Sequence, residues 1–213
     1  MAGQQSGRPE SIEIRALATD HLRTAALVFE QVAVESAGTI AAMASALTAS
    51  LRAGGKVMFC GNGGSAAIAQ HLAAELVGRY LRERQALRAI SLTTDSSILT
   101  AVGNDYRFDD VFLRQIEAIA DPGDVLVGMS TSGSSPNVVL AAQAARSKKV
   151  IVLALTGQSG GELAQHADLV LHVPSIDTPI VQEVHLAVGH VLCDVVERAL
   201  ISAPETFGKR RIR

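Results

Sequence analysis

Apolar residues gather in five short runs along the chain, at 57–60, 89–92, 125–129, 150–155 and 168–173. Each is of strand length and is closed by Gly, Ser, Thr or Pro, and most are apolar without alternation, as in strands covered on both faces. Between the runs the apolar spacing lengthens to three and four residues. That spacing predicts helices from Ser65 to about Tyr80, then over 96–102, 109–120, 137–147 and 178–199, with a short one near 161–165. The polar cluster Thr93-Thr94-Asp95-Ser96 caps the second of these helices, and Gly103-Asn104-Asp105 is expected to end it. Asp121-Pro122-Gly123-Asp124 reads as a turn, and Ser135 with Pro136 as a helix cap and first helical residue. Ahead of the first run lies a helical stripe of Leu22, Ala25, Ala26, Phe29, Val32 and Ala33, resumed at Ile40, Met43, Ala44 and Leu47. Ala37-Gly38-Thr39 is expected to separate two helices there. Strands alternating with helices imply an α/β protein of three layers, a five-stranded parallel sheet with helices on both faces. The two leading helices must cover that sheet or pack on another subunit, which favours an oligomer.

Composition narrows the class. The chain has 213 residues, 48% of them hydrophobic and 19% charged, enough to bury a core in one domain over about 10–200. Residues 1–9, rich in Gly, Gln and Ser, are expected to be disordered, and 201–213 to form a basic, frayed tail. A net charge of −2 offers no general attraction for nucleic acid or an acidic membrane. Two cysteines, Cys60 and Cys193, sit in apolar surroundings and read as core residues rather than a disulfide framework. The start is polar, and no uninterrupted apolar segment reaches the length of a membrane span, so a cytoplasmic protein is expected.

Three stretches could carry chemistry. The turn Gly61-Asn62-Gly63-Gly64 follows a strand and opens a helix at Ser65, baring backbone N–H groups at a helix start. Its glycine spacing is not that of a dinucleotide site. On the same helix His71 and Glu75 stand four residues apart, about 40° around the axis, and so share a face. A solvent-facing ion pair and an acid/base couple both fit that spacing. Ser130, Thr131, Ser132 and Ser135 converge after the third strand and before a helix N-terminus, where the dipole favours a phosphate, although no lysine completes a nucleoside-triphosphate loop. The last helix adds Gln182, Glu183, His185 and His190. Glu183 and His190 fall about 20° apart and Gln182 and His190 about 80°, so spacing alone does not choose the partner of His190.

These motifs resemble the sugar isomerase (SIS) domain family and, within it, the phosphoheptose isomerases. The resemblance runs from about Ile14 to Leu200. It is carried by Gly61-Asn62-Gly63-Gly64-Ser65, His71 with Glu75-Leu76, Gly78-Arg79-Tyr80, Val102-Gly103-Asn104-Asp105, Ser130-Thr131-Ser132-Gly133, Leu155-Thr156-Gly157, and Gln182-Glu183 with His185 and His190. It implies a flavodoxin-like SIS domain and a homotetramer with active sites at subunit interfaces, into which the leading helices pack. The implied reaction converts sedoheptulose 7-phosphate to D-glycero-D-manno-heptose 7-phosphate, toward bacterial envelope heptoses. Glu75 and His190 would be the acid/base pair, with Glu75 taking the carbon proton or the two roles exchanged. Ser130, Thr131, Ser132 and Ser135 would hold the phosphate. Asn62, Gly63, Gly64, Ser65, Glu75, Asn104, Asp105 and Gln182 would line the sugar site. One zinc ion per subunit would find His71, Glu75, Gln182 and His190 as ligands, which favours Gln182 over Glu183 on the last helix.

Two features set this chain apart. Ala66-Ala67-Ile68-Ala69 is plainer than the polar residues many of these isomerases carry after the serine. Thr93-Thr94-Asp95 and Cys193-Asp194 resemble a related non-enzymatic branch, tetrameric SIS proteins that bind the bacterial replication initiator. The presence of both Glu75 and His190 favours the enzyme, because a binding protein has no need of them.

Overall fold

The computed structural model describes residues 11–201. The expected disordered start (1–9), and all of the expected tail beyond Ile201, lie outside them. Two helices lead, α1 (Ser11–Glu35) and α2 (Ala37–Arg52). They meet at a 70° bend at Ser36, so the Ala-Gly-Thr run opens α2 instead of separating the pair.

The strands are β1 (Val57–Gly61), β2 (Ala89–Ser91), β3 (Val125–Ser130), β4 (Ile151–Thr156) and β5 (Leu169–His172). All pair in parallel in the order β2-β1-β3-β4-β5, with Val57 beside both Ala89 and Val125. Alternate residues divide the core, as a two-residue period requires. Val57, Phe59, Val125, Val127, Leu153 and Leu155 pack against α1, α2, α3 (Gly64–Val77) and α7 (Thr178–Leu200). Met58, Cys60, Leu126, Val152 and Ala154 pack against α5 (Leu113–Ile119) and α6 (Pro136–Ser147) on the other face. From β1 the chain crosses through α3 to β2 on one side, then returns to β3 on the other. The carboxyl ends of β1 and β3 therefore flank the switch point at which open α/β sheets bind ligands.

The expected boundaries shift in two places. The helix after β2, α4 (Ser96–Asp105), is capped by Asp95, whose Oδ1 accepts from Ile98 N at 2.9 Å. It continues through Gly103 to Asp105, since one glycine costs a helix only about 1 kcal/mol. The expected helix over 109–120 is a 3-10 turn, Phe108–Asp110, followed by α5. The short helix near 161–165 is likewise a 3-10 turn, Leu163–His166.

α7 is long and apolar enough to cross a membrane by length and composition, with a window of mean hydropathy 1.3. It is a core helix, burying Ile180, Val181, Val184, Val188, Leu192 and Val196. At Gly189 it approaches α3 so closely that a Cβ there would lie 2.6 Å from both δ-carbons of Leu72. That absent methyl lets the side chains one residue along on both helices meet.

Candidate active site

Those side chains are His71 and His190. Their Nε2 atoms lie 2.8 Å apart, and Glu75 Oε1 lies 3.4 Å from His71 Nε2. One ligand atom from each of the three falls within 4.8 Å of the others. The Tyr80 ring stacks on His190, with centroids 5.4 Å apart and planes at 24°, so one side of the imidazole is walled off. The expected His71–Glu75 couple therefore has a third member, and Glu183 is not it. Glu183 Oε1 instead pairs with His21 Nε2 of α1 at 2.9 Å, holding α1 to α7.

The trio suits zinc. Ligand atoms at zinc–nitrogen and zinc–oxygen lengths around a tetrahedron are about 3.3 Å apart, close to the separations here, and two imidazoles with one carboxylate leave a fourth position open. Gln182, the fourth expected ligand, rests its amide against Gly64, eight residues before His190 and about 12 Å along the helix axis. In this conformation it serves the glycine turn, and the three remaining donors form the cluster.

The turn itself is built on backbone. Gly63 has φ +54°, open to glycine at little cost, and a Cβ on Gly64 would run into the Gln182 amide. Ser65 is buried, with its Cβ packed against Gly61. Asn62 reaches across the switch point to Asn137 of α6. Each amide donates to the other's oxygen at 2.8 Å, tying the β1 turn to the β3 loop. Sequence reasoning missed Asn137, since only the topology brings it to Asn62.

In the β3 loop, Ser130 Oγ lies 2.9 Å from Ser135 Oγ and 3.4 Å from Ser132 Oγ. Three hydroxyls thus converge at the start of α6, as expected of a phosphate cradle. Ser135 makes no side-chain cap and spends its hydroxyl on Ser130, while Pro136 opens the helix as expected. Thr131 accepts from Gly157 N at 3.0 Å, which joins the loop to the end of β4. Asn104 and Asp105 are exposed at the far end of α4, where Asn104 Nδ2 donates to Asp105 Oδ1 at 2.8 Å.

A second polar group lies just behind the trio. Glu197, fully buried on α7, accepts from the backbone N–H of Tyr80 (3.0 Å), Leu81 (2.9 Å) and Arg82 (2.8 Å). Burial pushes its carboxyl up, but those N–H groups and the Arg84 guanidinium outweigh it, leaving the group below the ordinary carboxylate value. His185, also buried, donates from Nε2 to the Thr156 carbonyl at 3.2 Å. Burial pushes its pKa down to about 4, so it is a neutral core residue and no part of the trio.

Residues 20–157 match the SIS domain family. The phosphoheptose isomerase of Rhodospirillum rubrum is 61% identical over 168 residues, 79% of this chain and 89% of that protein. This chain belongs to the phosphoheptose isomerase family. The Pelobacter propionicus member is 53% identical over 184 residues, 86% of this chain and 97% of that protein. The solved phosphoheptose isomerase of Neisseria gonorrhoeae superposes with a TM-score of 0.83 at 40% identity, covering 87% of this chain and 99% of that one. The three-layer α/β fold built here around the trio is that of the phosphoheptose isomerase family.

Proposed function

We infer that this chain is an aldose–ketose isomerase that converts sedoheptulose 7-phosphate to D-glycero-D-manno-heptose 7-phosphate, for ADP- or GDP-heptose and bacterial envelope glycans. The observation that carries the reading is the His71–Glu75–His190 trio, in a chain 61% identical to a phosphoheptose isomerase. The reaction moves a proton from C1 of the ketose to C2 through an enediolate while the two oxygens exchange a proton. It needs a base at the carbons, a proton carrier at the oxygens and an anchor for the distant phosphate. Glu75 is assigned the carbon proton and His190 the oxygens. Ser130, Thr131, Ser132 and Ser135 anchor the phosphate, and Asn62 with the N–H groups of Gly63 and Gly64 faces the sugar. Zinc held by His71, Glu75 and His190, with Gln182 if its side chain turns, would polarise the substrate carbonyl.

We assign a homotetramer with interfacial sites. Three features support it: α1 leaves Leu17, Leu22, Leu27 and Val34 more than half exposed, Asn104 and Asp105 are exposed and bond to one another, and Gly64 and His71 are about 10 Å apart along α3. A cytoplasmic place accords with two buried free cysteines. The reading as a partner of the replication initiator is disfavoured by relatives at 50–61% identity that are phosphoheptose isomerases.

Purified protein assayed with sedoheptulose 7-phosphate, after chelation and after added zinc, tests the function. Turnover establishes the isomerase, and its response to zinc decides between a metal-polarised and a purely acid/base reaction. A folded oligomer inactive in both states would instead support the binding protein.

A further inference from the structure

We propose that Glu197 and Arg84 form a positioning clamp that fixes the catalytic couple from behind, Glu197 through Tyr80 and Arg84 through the backbone of Glu75. The inference rests on the isomerase reading of Glu75 and His190. Glu197 lies seven residues after His190, on the same face of α7 and about 10 Å along it. Its carboxylate collects the N–H groups of Tyr80, Leu81 and Arg82. That fixes the backbone from which the Tyr80 ring folds back over His190. Arg84 is nearly buried, with Nε 3.2 Å from Glu197 Oε1. Its Nη2 donates to the Glu75 carbonyl at 2.7 Å, and its Nη1 to those of Leu76 (2.9 Å), Gly78 (3.2 Å) and Gln85 (3.0 Å). It thus closes the end of α3 that carries Glu75, where carbonyls have no helical partner.

A buried carboxylate that is paired and gathers three N–H groups is costly to assemble and rigid once satisfied. It would be an expensive way to hold a surface loop. The chemistry supplies a reason: proton transfer loses rate steeply when acid and base drift by an ångström. Arg82 adds a second anchor, its Nη1 lying 2.6 Å from Asp194 Oδ1 and 3.6 Å from Glu197 Oε2.

The test compares kcat and KM for sedoheptulose 7-phosphate in Glu197→Gln, Tyr80→Ala, Tyr80→Phe and the Glu197→Gln/Tyr80→Ala double variant. The clamp predicts that Glu197→Gln and Tyr80→Ala each lower kcat about tenfold while KM stays within about twofold, because the phosphate cradle is untouched. The double variant is then no slower than the slower single one, and Tyr80→Phe, which keeps the stacked ring, restores kcat to within about twofold. Wild-type kcat in folded Tyr80→Ala, or effects that multiply in the double variant, would overturn the proposal. If Glu197→Gln fails to fold, the Tyr80→Ala and Tyr80→Phe pair still decides it. The chain has no tryptophan and two tyrosines, so a Tyr106→Phe background leaves Tyr80 as the emitting residue. There Glu197→Gln should change tyrosine emission, and an unchanged spectrum counts against the clamp. Wild-type protein without turnover would sink the isomerase reading, and the tyrosine spectrum would still judge the contact between Glu197 and the Tyr80 segment.

Discussion

Glu75 is held at both ends, its carboxylate 3.4 Å from His71 Nε2 and its carbonyl bound by Arg84. Glu75→Gln keeps the shape and removes the base, so kcat should fall by roughly 10² to 10⁴ with the thermal midpoint unchanged within a few degrees. A near-normal rate would assign the carbon proton to His190. In the loop proposed to hold the phosphate, Ser132→Ala with Ser135→Ala removes two of three converging hydroxyls. It should raise KM for the sugar phosphate about tenfold with kcat little changed, and an unchanged KM would move the phosphate elsewhere. His185 contributes to acid stability. Its folded pKa of about 4 lies below the ordinary 6.5, so the unfolded chain binds the extra proton between those values. Stability from this group is complete above about pH 6.5 and is lost as the pH falls toward 4, by about 3 kcal/mol. Melting curves should drop across that window in wild-type protein and drop less in His185→Gln; equal slopes would contradict the assignment. The i, i+4 spacing put His71 and Glu75 on one face, and the hydroxyl run put Ser130, Ser132 and Ser135 in one loop, where their oxygens converge. Glu197 was not legible, because its partners at 80–82 lie more than 110 residues away and nothing local marks a charge on an apolar helix as buried. Ser65 is buried against Gly61, a depth that its place in the motif does not mark.

At the scale of elements, the site depends on how closely α3 and α7 approach. Gly189→Ala makes this testable because two effects oppose. Helix propensity would favour alanine by about 1 kcal/mol. The new methyl, 2.6 Å from Leu72, costs about 1–3 kcal/mol as overpacking. The clash should win, with a lower melting temperature and slower turnover as His71 and His190 separate; a more stable, fully active variant would show that the helices yield. Strand positions were legible to within a residue or so because five apolar runs with polar ends admit few other readings. The helix edges were not. Gly103 reads as a breaker, yet α4 runs to Asp105 and packs on the 3-10 turn at 108–110, tertiary contact outweighing a small propensity cost. The bend at Ser36 fell one residue early for a similar reason, since no side chain caps α2.

For the whole molecule, strand and helix alternation made a parallel sheet legible, but not its order β2-β1-β3-β4-β5, which alternation leaves open. What one chain could not disclose is the use of α1. Ala25, Val28 and Val32 face inward, while Leu27 and Val34 lie on the opposite side at 68% and 78% exposure. A tetramer would cover them. Sedimentation should give a mass near four chains, and Leu27→Asp with Val34→Asp should lower both mass and activity; a fully active monomer would refute shared sites. The most direct test of the central claim is turnover of sedoheptulose 7-phosphate in D₂O followed by NMR. Transfer of a carbon proton through an enediolate at Glu75, with solvent exchange of the proton on the base, predicts aldose product with deuterium at C2 from the wild-type protein and its formation slowed by roughly 10² or more in Glu75→Gln. Deuterated product at an undiminished rate from Glu75→Gln, or no product from folded wild-type oligomer, would contradict it.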